Sequence, residues 1–323
     1  MFKRIRRRLM DKIYGNSPVL GCALRGLFAT HPCKAAILSL YMLPVRNAFK
    51  IAFTQEHTFS VSKEYYDELH SLLHIAKAEG HELMRTGDEN DGGYVMLDDL
   101  PGGIAYSFGI ARNVSWDRDM ASRGYDVYMY DHTIDSLPEE NVRFHWSKLG
   151  IGDGSGNDVL LKTLEELIAV NGHEGKSDMI LKMDVEGAEW GFLESVKPET
   201  LLRFRQILFE FHGLMDPKKY GLSVKYSRIL EMLEKVNASH QLIHLHPCNF
   251  SNCASFGGKI FPQTVEATYV IRDKYKFEQD YDVELPLEID APDRRGVPDI
   301  DLGRWNRDVS HDAETITSIV RVM

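Results

Sequence analysis

Three acidic side chains follow a short apolar run in the middle of the chain. The run Met179 to Met183 is broken only by a lysine, and Asp184, Glu186 and Glu189 come after it, around Gly187. Such a run is typical of a buried parallel strand. Ligands of open α/β sheets bind beyond the carboxyl ends of the strands, so carboxylates released there would face the place of chemistry. A polar, solvated strand end is the alternative interpretation.

Two further apolar runs also end in ionisable side chains. Gln206 to Phe211 predicts a strand that carries Glu210 and is followed by His212, and Gln241 to His246 predicts another strand that ends at His246. Histidine changes its charge near neutral pH, so either histidine suits a general base, while the acids suit orienting that base or binding hydroxyl groups. We expect these side chains to converge with the first acids because the strands are placed side by side. A histidine taken alone is more often structural than catalytic.

A nucleoside-binding half precedes these acids. Ala105 to Ile110 predicts a strand that runs into Gly109, Ser115 to Arg123 predicts a helix, and Val127 to Tyr130 predicts a second strand that ends at Asp131. In doubly wound sheets this order binds a nucleotide at the glycine turn, and the acid holds the ribose diol. A single glycine in the loop is a weak signal.

The first turn of that predicted helix separates two cofactor classes. A nicotinamide dinucleotide lays its pyrophosphate on the helix N-terminus, where backbone donors favour an anion. Asp117 and Asp119 stand in this turn and would repel a pyrophosphate. S-adenosylmethionine has no phosphate and carries a positive sulfonium and ammonium, so the sequence favours the methyl donor.

Two further positions are assigned to this cofactor. Ser107 stands where richer glycine loops carry an acid. Arg143 to Leu149 predicts a third strand, and the bend Gly150 to Gly156 would let the backbone approach an adenine, with Asp153 accepting a hydrogen bond from its amino group. A flexible turn is the alternative. The residues assigned to cofactor binding are Ser107, Gly109, Asp131, Asp153 and Asp184.

The remaining patterns alternate between helices and strands. No internal repeat, low-complexity tract or P-loop is present in the sequence. Hydrophobic periodicity predicts helices at Ser62 to Ala78, Asp158 to Val170, Ala188 to Val196 and Tyr226 to Val236, and strands at Tyr94 to Leu97 and Val265 to Ile271.

Length and charge bound the kind of protein. With 323 residues and 43% hydrophobic content, the chain can bury one large core. Residues 1–50 hold ten Lys or Arg and one Asp, a net charge of +9. Because the whole chain has a net charge of −10, the remaining residues carry −19. An acidic body argues against nucleic acid as a partner. We divide the chain into a basic extension at 1–60, a catalytic domain at 61–275 and a surface tail at 276–323.

The basic arm at 3–12 bears on localisation. No uncharged run near it approaches the roughly 20 residues of a spanning helix, and no secretory signal follows it. A peripheral contact with an anionic membrane is one hypothesis, and a solvated arm is the simpler one. The four cysteines form no CxxC pair, which favours a reducing compartment and hence a cytoplasmic protein.

Five motifs together resemble the FkbM-type family of S-adenosylmethionine-dependent methyltransferases, including its methyltransferase-like animal relatives. LKMDVEGAEW is the most specific of them. The resemblance implies an α/β fold with a doubly wound, Rossmann-like sheet of seven strands, the last one antiparallel, here preceded by an N-terminal helical extension. The motifs are DGGYV at 91–95, AYSFGI at 105–110, VYMYD at 127–131, LKMDVEGAEW at 181–190 and IHLHPCN at 243–249.

The resemblance also implies the reaction. Members of this kind methylate hydroxyl groups, often on sugars, glycans or natural products, and removal of the hydroxyl proton needs a base. The candidate catalytic residues are Asp184, Glu186, His212 and His246. A nicotinamide-dependent oxidoreductase and a non-catalytic binding protein are the competing functions.

A metal-free mechanism is favoured over one with a divalent cation. No ready cage of oxygen ligands is spelled out in the sequence, and histidine suits magnesium poorly. If a cation is bound, Asp184 and Glu210 are the candidate ligands.

Overall fold

The computed structural model describes residues 63–155, 158, 160–215, 225–256, 259–278, 280–307 and 318–321. The predicted N-terminal helical extension and the basic arm lie outside these ranges.

A seven-stranded sheet forms the centre of the described structure. Its strands are β4 (Gly103–Phe108), β5 (Tyr125–Tyr130), β6 (Phe144–Ser147), β9 (Met179–Met183), β10 (Phe204–His212), β11 (His240–Pro247) and β14 (Thr264–Ile271). The spatial order is β11-β14-β10-β9-β4-β5-β6. β14 pairs antiparallel with both β10 and β11, and the other pairings are parallel. A mixed α/β fold with a mostly parallel seven-stranded sheet, consistent with a Rossmann-like fold, and its antiparallel last strand are therefore confirmed.

Short strands outside the central sheet form small pairs. They are β1 (Lys77–Ala78) with β15 (Phe277–Glu278), β2 (Leu83–Thr86) with β3 (Tyr94–Leu97), β7 (Gly150–Ile151) with β8 (Leu161–Lys162), β16 (Glu284–Leu285) with β17 (Gly303–Arg304), and β12 (Asn252–Phe256) with β13 (Lys259–Pro262) and β18 (Ser318–Arg321). The hairpin β2–β3 is fastened to the central sheet, because the Leu97 amide donates to Gln206 Oε1 at 3.0 Å and the Thr268 hydroxyl donates to the Val95 carbonyl at 2.6 Å.

The described helices are α1 (Lys63–Leu72), α2 (Ser115–Ser122), α3 (Leu164–Val170), α4 (Glu189–Ser195), α5 (Pro198–Leu201) and α6 (Tyr226–Asn237). The prediction of a helix from Asp158 was wrong, because β8 comes first and pairs with β7. α3 begins after a capping box, in which the Thr163 hydroxyl accepts from the Glu166 amide and the Glu166 carboxylate accepts from the Thr163 amide. This cap satisfies amides that otherwise lack partners in the first turn. The prediction that the first helix continues to Ala78 was also wrong, because α1 ends at Leu72 and β1 follows.

The central sheet separates two hydrophobic clusters. Met179 and Leu181 of β9 pack into one cluster with residues of α1, α3, α4 and α6. Ile180 packs into the other with Trp116 and Met120 of α2. Successive side chains of a strand point to opposite faces, so the two clusters lie on opposite sides of the sheet.

The predicted surface tail is in part a core segment. Trp305 is 1% exposed and its ring N–H donates to the Leu73 carbonyl at 2.7 Å. Charges and prolines dominate this stretch of sequence and hide the spacing of its apolar residues. Four more residues of the segment belong to the larger cluster, namely Val283, Leu285, Ile300 and Leu302.

Within the described ranges, no helix has the length and the apolar character needed to cross a membrane.

Trp305→Ala should lower the free energy of unfolding by about 3–5 kcal/mol, because it opens a cavity in the core and removes a buried hydrogen bond. Urea denaturation measures this change. Val142→Ala is the control, since Val142 is 96% exposed and its truncation should leave stability nearly unchanged. Equal stability of the two variants would contradict the assignment of residues 283–305 to the core.

Candidate active site

The cleft begins where the strand order reverses. β4 and β9 are neighbours, although β5 and β6 intervene in the chain. After β4, Gly109 turns with φ of 77°, and a Cβ built on it would overlap the carbonyl oxygen of Asp184. The Asp184 amide donates to the Phe108 carbonyl at 3.1 Å. Only glycine allows this approach, so the ends of the two strands are held together.

A cleft of about 380 Å³ opens above this contact. Loops that follow β4, β5 and β9 line it, together with Glu210 near the end of β10. Five acidic side chains contribute to the lining, together with one lysine, Lys182, among the described residues. The acids are Asp91, Asp131, Asp184, Glu186 and Glu210.

Asp131 lies at the end of β5 and shapes the glycine loop. Its Oδ2 accepts from the amides of Ile110 at 3.0 Å and Ala111 at 2.8 Å. Its Oδ1 accepts from the amide of Thr133 at 2.8 Å and from the hydroxyl at 2.6 Å. Burial opposes ionisation, but these hydrogen bonds outweigh it and lower the pKa of Asp131 below its usual value. The carboxylate therefore stays charged and holds the loop.

Lys182 lines the cleft and was missed by the sequence analysis, as was its contact with the buried Tyr94. The Lys182 ammonium donates to the Gly109 carbonyl at 2.9 Å and lies 5.3 Å from the centre of the Tyr94 ring. Lys182 is 4% exposed. A lysine inside a buried run is rarely tolerated without partners, and this was the available signal.

Asp184 has the electrostatics of a proton acceptor. Its Oδ2 accepts from the Tyr94 hydroxyl at 3.3 Å. Burial raises the pKa of Asp184 to about 6, against the opposing charges of Lys182 and His212. At neutral pH this carboxyl is ionised and more basic than a solvated aspartate.

His212 is held between carboxylates and is not placed as a base. Its Nδ1 lies 3.2 Å from Glu189, and its Nε2 lies 3.1 Å from Glu210 and 3.4 Å from Glu186. Burial alone would lower the pKa of His212, but Glu189 and Glu210 raise it to about 12. A buried imidazolium cannot accept a proton near neutral pH, so the proposed base role of His212 is corrected.

Glu189 fixes the turn between β9 and α4. Its carboxylate accepts from the Val185 amide at 2.9 Å as well as facing His212, and it is fully buried. Glu186 occupies the left-handed region with φ of 54° and is exposed. The turn thus buries Glu189 in the protein and leaves Glu186 exposed at the cleft.

His246 does not join this group. The structure brings Asp184, Glu186, Glu210 and His212 together as predicted. His246 lies on β11, separated from β10 by β14, and contacts Glu266 at 3.2 Å. It is completely buried and does not line the cleft, so its predicted role as a base is corrected.

Two predicted cofactor residues also lie outside the cleft. Ser107 is buried on the face of the sheet that carries α2, where its hydroxyl lies near the Asp117 carboxyl. Asp153 is exposed and accepts from the Ser155 amide at 2.8 Å and hydroxyl at 2.6 Å. Neither residue lines the cleft.

The helix N-terminus discriminates less between cofactors than predicted. Asp117 is buried, which raises its pKa, and Asp119 accepts from the Gly87 amide at 2.9 Å. Neither carboxylate lines the cleft, so it is the acidic side chains of the cleft itself that would repel a pyrophosphate.

The donor set of a cation site exists at the cleft. Ligand atoms of Asp184, Glu210 and His212 lie within 4.8 Å of one another. Burial raises the pKa of Glu210, and the neighbouring Asp184 adds to that. The preference for a metal-free mechanism stays a prediction.

Residues 126–240 match the family model of the methyltransferase FkbM domain, which confirms the resemblance in the sequence. No curated protein matches the chain. Among 11 matching chains of solved structures is one described as "Putative hemolysin from Streptococcus thermophilus", with a TM-score of 0.29 and 12% identity over 68% of this chain and 69% of that chain. That likeness is too low to carry an argument about this protein.

His212→Gln should lower the free energy of unfolding by about 3–5 kcal/mol near neutral pH, because it leaves Glu189 buried without a cation. A raised histidine pKa stabilises fully below the ordinary value of 6.5 and loses that contribution as pH rises towards about 12. The difference between parent and variant should therefore shrink from pH 7 to about pH 10 in urea denaturation.

Lys77→Gln is the matched control, since it breaks a half-exposed ion pair with Glu278 and should change stability little. A His212→Gln variant as stable as this control would show that His212 is not a buried imidazolium.

Proposed function

We propose that this chain, in which residues 126–240 match the methyltransferase FkbM domain, transfers a methyl group from S-adenosylmethionine to a hydroxyl oxygen of a sugar, glycan or natural product. One observation carries the proposal. Asp131 and Asp184 line one cleft at the reversal of strand order, where open α/β sheets bind their ligands.

The charge and size of the cleft fit this cofactor. An excess of acidic side chains favours the positive sulfonium and ammonium groups and disfavours the pyrophosphate of a nicotinamide dinucleotide. The cleft volume of about 380 Å³ falls within the range of small-molecule sites. The same acidity makes a neutral or cationic hydroxyl compound the expected acceptor, and a nucleic acid an unsuitable one.

Asp131 is assigned to the ribose. A carboxylate offers about four acceptor positions, and four donors of the chain already occupy them. The Thr133 hydroxyl can rotate away, whereas the amides of Ile110 and Ala111 are fixed in the loop. The ribose diol would therefore meet Oδ1 of Asp131, while Oδ2 keeps the loop in place.

Asp184 is assigned as the general base. When bound, S-adenosylmethionine supplies an electrophilic methyl carbon whose sulfur leaves with the electrons of the carbon–sulfur bond. Asp184 would accept the proton that the acceptor hydroxyl loses in this transfer. Tyr94 holds Oδ2, so we assign the proton to Oδ1. Lys182 positions the Gly109 carbonyl and thereby the loop above the base.

The metal-free version is retained. Carboxylates already engage both ring nitrogens of His212, and its protonated form would repel a cation. A magnesium-dependent reaction would instead bind the cation through Asp184 and Glu210. Activity that disappears with a chelator and returns with magnesium would favour that version.

Asp131→Asn should weaken binding of S-adenosylmethionine by about 5–150-fold, the equivalent of one lost hydrogen bond to a charged acceptor at about 1–3 kcal/mol. Isothermal titration calorimetry measures the affinity. Asp153→Asn is the control, because Asp153 is exposed and outside the cleft. This variant should bind S-adenosylmethionine as tightly as the parent. Unchanged binding in Asp131→Asn would refute the ribose assignment.

Asp184→Asn should lower methyl transfer by about 10²–10⁴-fold while the variant still binds S-adenosylmethionine. The base must be ionised, so kcat/KM of the parent should rise with pH and level off above about 6. Release of S-adenosylhomocysteine with a panel of sugars and phenols measures this. A rate independent of pH between about 5 and 7 would exclude Asp184 as the base.

A further inference from the structure

A second group of buried ionisable side chains lies away from the cleft. His246 on β11 and Glu266 on β14 are direct partners in the antiparallel register, and Asp293 reaches them from the segment before β17. One ligand atom from each residue lies within 4.8 Å of the other two. The proposed methyl transfer uses none of the three.

Two carboxylate oxygens of this group lack a hydrogen-bond partner within the described part of the chain. They are Glu266 Oε1 and Asp293 Oδ1, and their residues are 2% and 7% exposed. Asp293 Oδ2 accepts from the Asn249 amide at 3.2 Å, and Glu266 Oε2 lies 3.2 Å from His246. In the described ranges, no Lys or Arg forms an ion pair with either acid. Buried carboxylate oxygens without partners are costly, and a bound cation would satisfy both of them.

The histidine is oriented as a metal ligand would be. Asp299 lies 2.9 Å from His246 Nε2 and is placed to accept its proton. The other nitrogen, Nδ1, faces Glu266 at 3.2 Å, and a cation bound there would displace the Nδ1 proton and take its lone pair. A carboxylate that fixes the outer nitrogen of a ligating histidine is the usual arrangement at protein metal sites.

We propose that His246, Glu266 and Asp293 bind one first-row divalent cation such as Zn²⁺ or Mn²⁺. One imidazole nitrogen and two carboxylates suit these ions better than Mg²⁺ or Ca²⁺, which take oxygen ligands. Ligands at about 2.1 Å from a tetrahedral ion are about 3.4 Å apart, so a small inward movement of the side chains completes the site. Water supplies the remaining position.

The ion would fasten the C-terminal segment to the sheet behind the cleft. The Asp91 amide, on a loop that lines the cleft, donates to the Asp293 carbonyl at 3.2 Å. Arg295 donates to the Asn90 side chain at 3.2 Å. The cation therefore has a structural role, tying residues 293–299 to β11 and β14.

The test uses the full chain, stripped with a chelator and dialysed. Titration calorimetry with ZnCl₂, MnCl₂ and MgCl₂, with metal content measured after desalting, should show one Zn²⁺ or Mn²⁺ per chain and no Mg²⁺. Metal should also raise the Tm. Failure of the stripped parent to bind either transition metal overturns the proposal and leaves a proton shared between the two carboxyls.

Variants locate the ion. Asp293→Asn and Glu266→Gln should lose the bound ion. Asp290→Asn is the control, because Asp290 is equally buried, 2.9 Å from His244 on the same strand, and outside the group; it should keep the ion. Asp184→Asn should also keep it. Loss in Asp184→Asn with retention in Asp293→Asn would place the ion in the cleft and overturn the proposal, whereas failure of the methyl-transfer assays would leave it unaffected.

Discussion

The backbone contact between Gly109 and Asp184 is the constraint on which the cleft depends. It closes the gap between two strands that are neighbours in space and distant in the chain. The left-handed turn at Gly109 is possible because glycine has no Cβ, and the Lys182 ammonium then binds the carbonyl that the turn exposes. A substituent at Gly109 would separate β4 from β9, and with them the loop that Asp131 holds.

A row of ionisable side chains crosses four neighbouring strands in register. His246 pairs with Glu266, Glu266 pairs with Glu210, and Asp184 follows Met183, the partner of the residue before Glu210. Adjacent strands are about 4.8 Å apart, so these charges interact across the sheet. At one end, His212 and Lys182 lie among the acids, and at the other end His246 is the one basic side chain of the described residues that contacts Glu266. This difference is why the cleft end suggests proton transfer, whereas the end at β11 suggests binding of a cation.

The sequence predicted the strands of the central sheet well because most of them are buried apolar runs with a polar end. β9 was predicted with its observed bounds, and α2 ends one residue before its predicted end. The first residue of a helix was harder to predict. α3 begins at the capping box of Thr163, although the apolar pattern in the sequence begins earlier. The side chains that each ionisable residue contacts were the hardest feature to predict. A histidine after a strand looks the same in sequence whether it faces a cleft or, as His212 does, buried carboxylates.

The hydrogen bonds of Asp131 have a consequence for how the cleft exchanges ligands. A buried carboxylate without donors is costly, and here the chain itself supplies donors to both oxygens of Asp131. A ligand hydroxyl that arrives replaces one bond with a similar one, so the heat released at this position should be small. The surrounding negative charge adds to the affinity, and under the proposed function a ligand that has lost its positive sulfonium should leave more readily than one that retains it. Under the proposed function, the negative cleft therefore holds the methyl donor more tightly than the product that has lost the sulfonium charge.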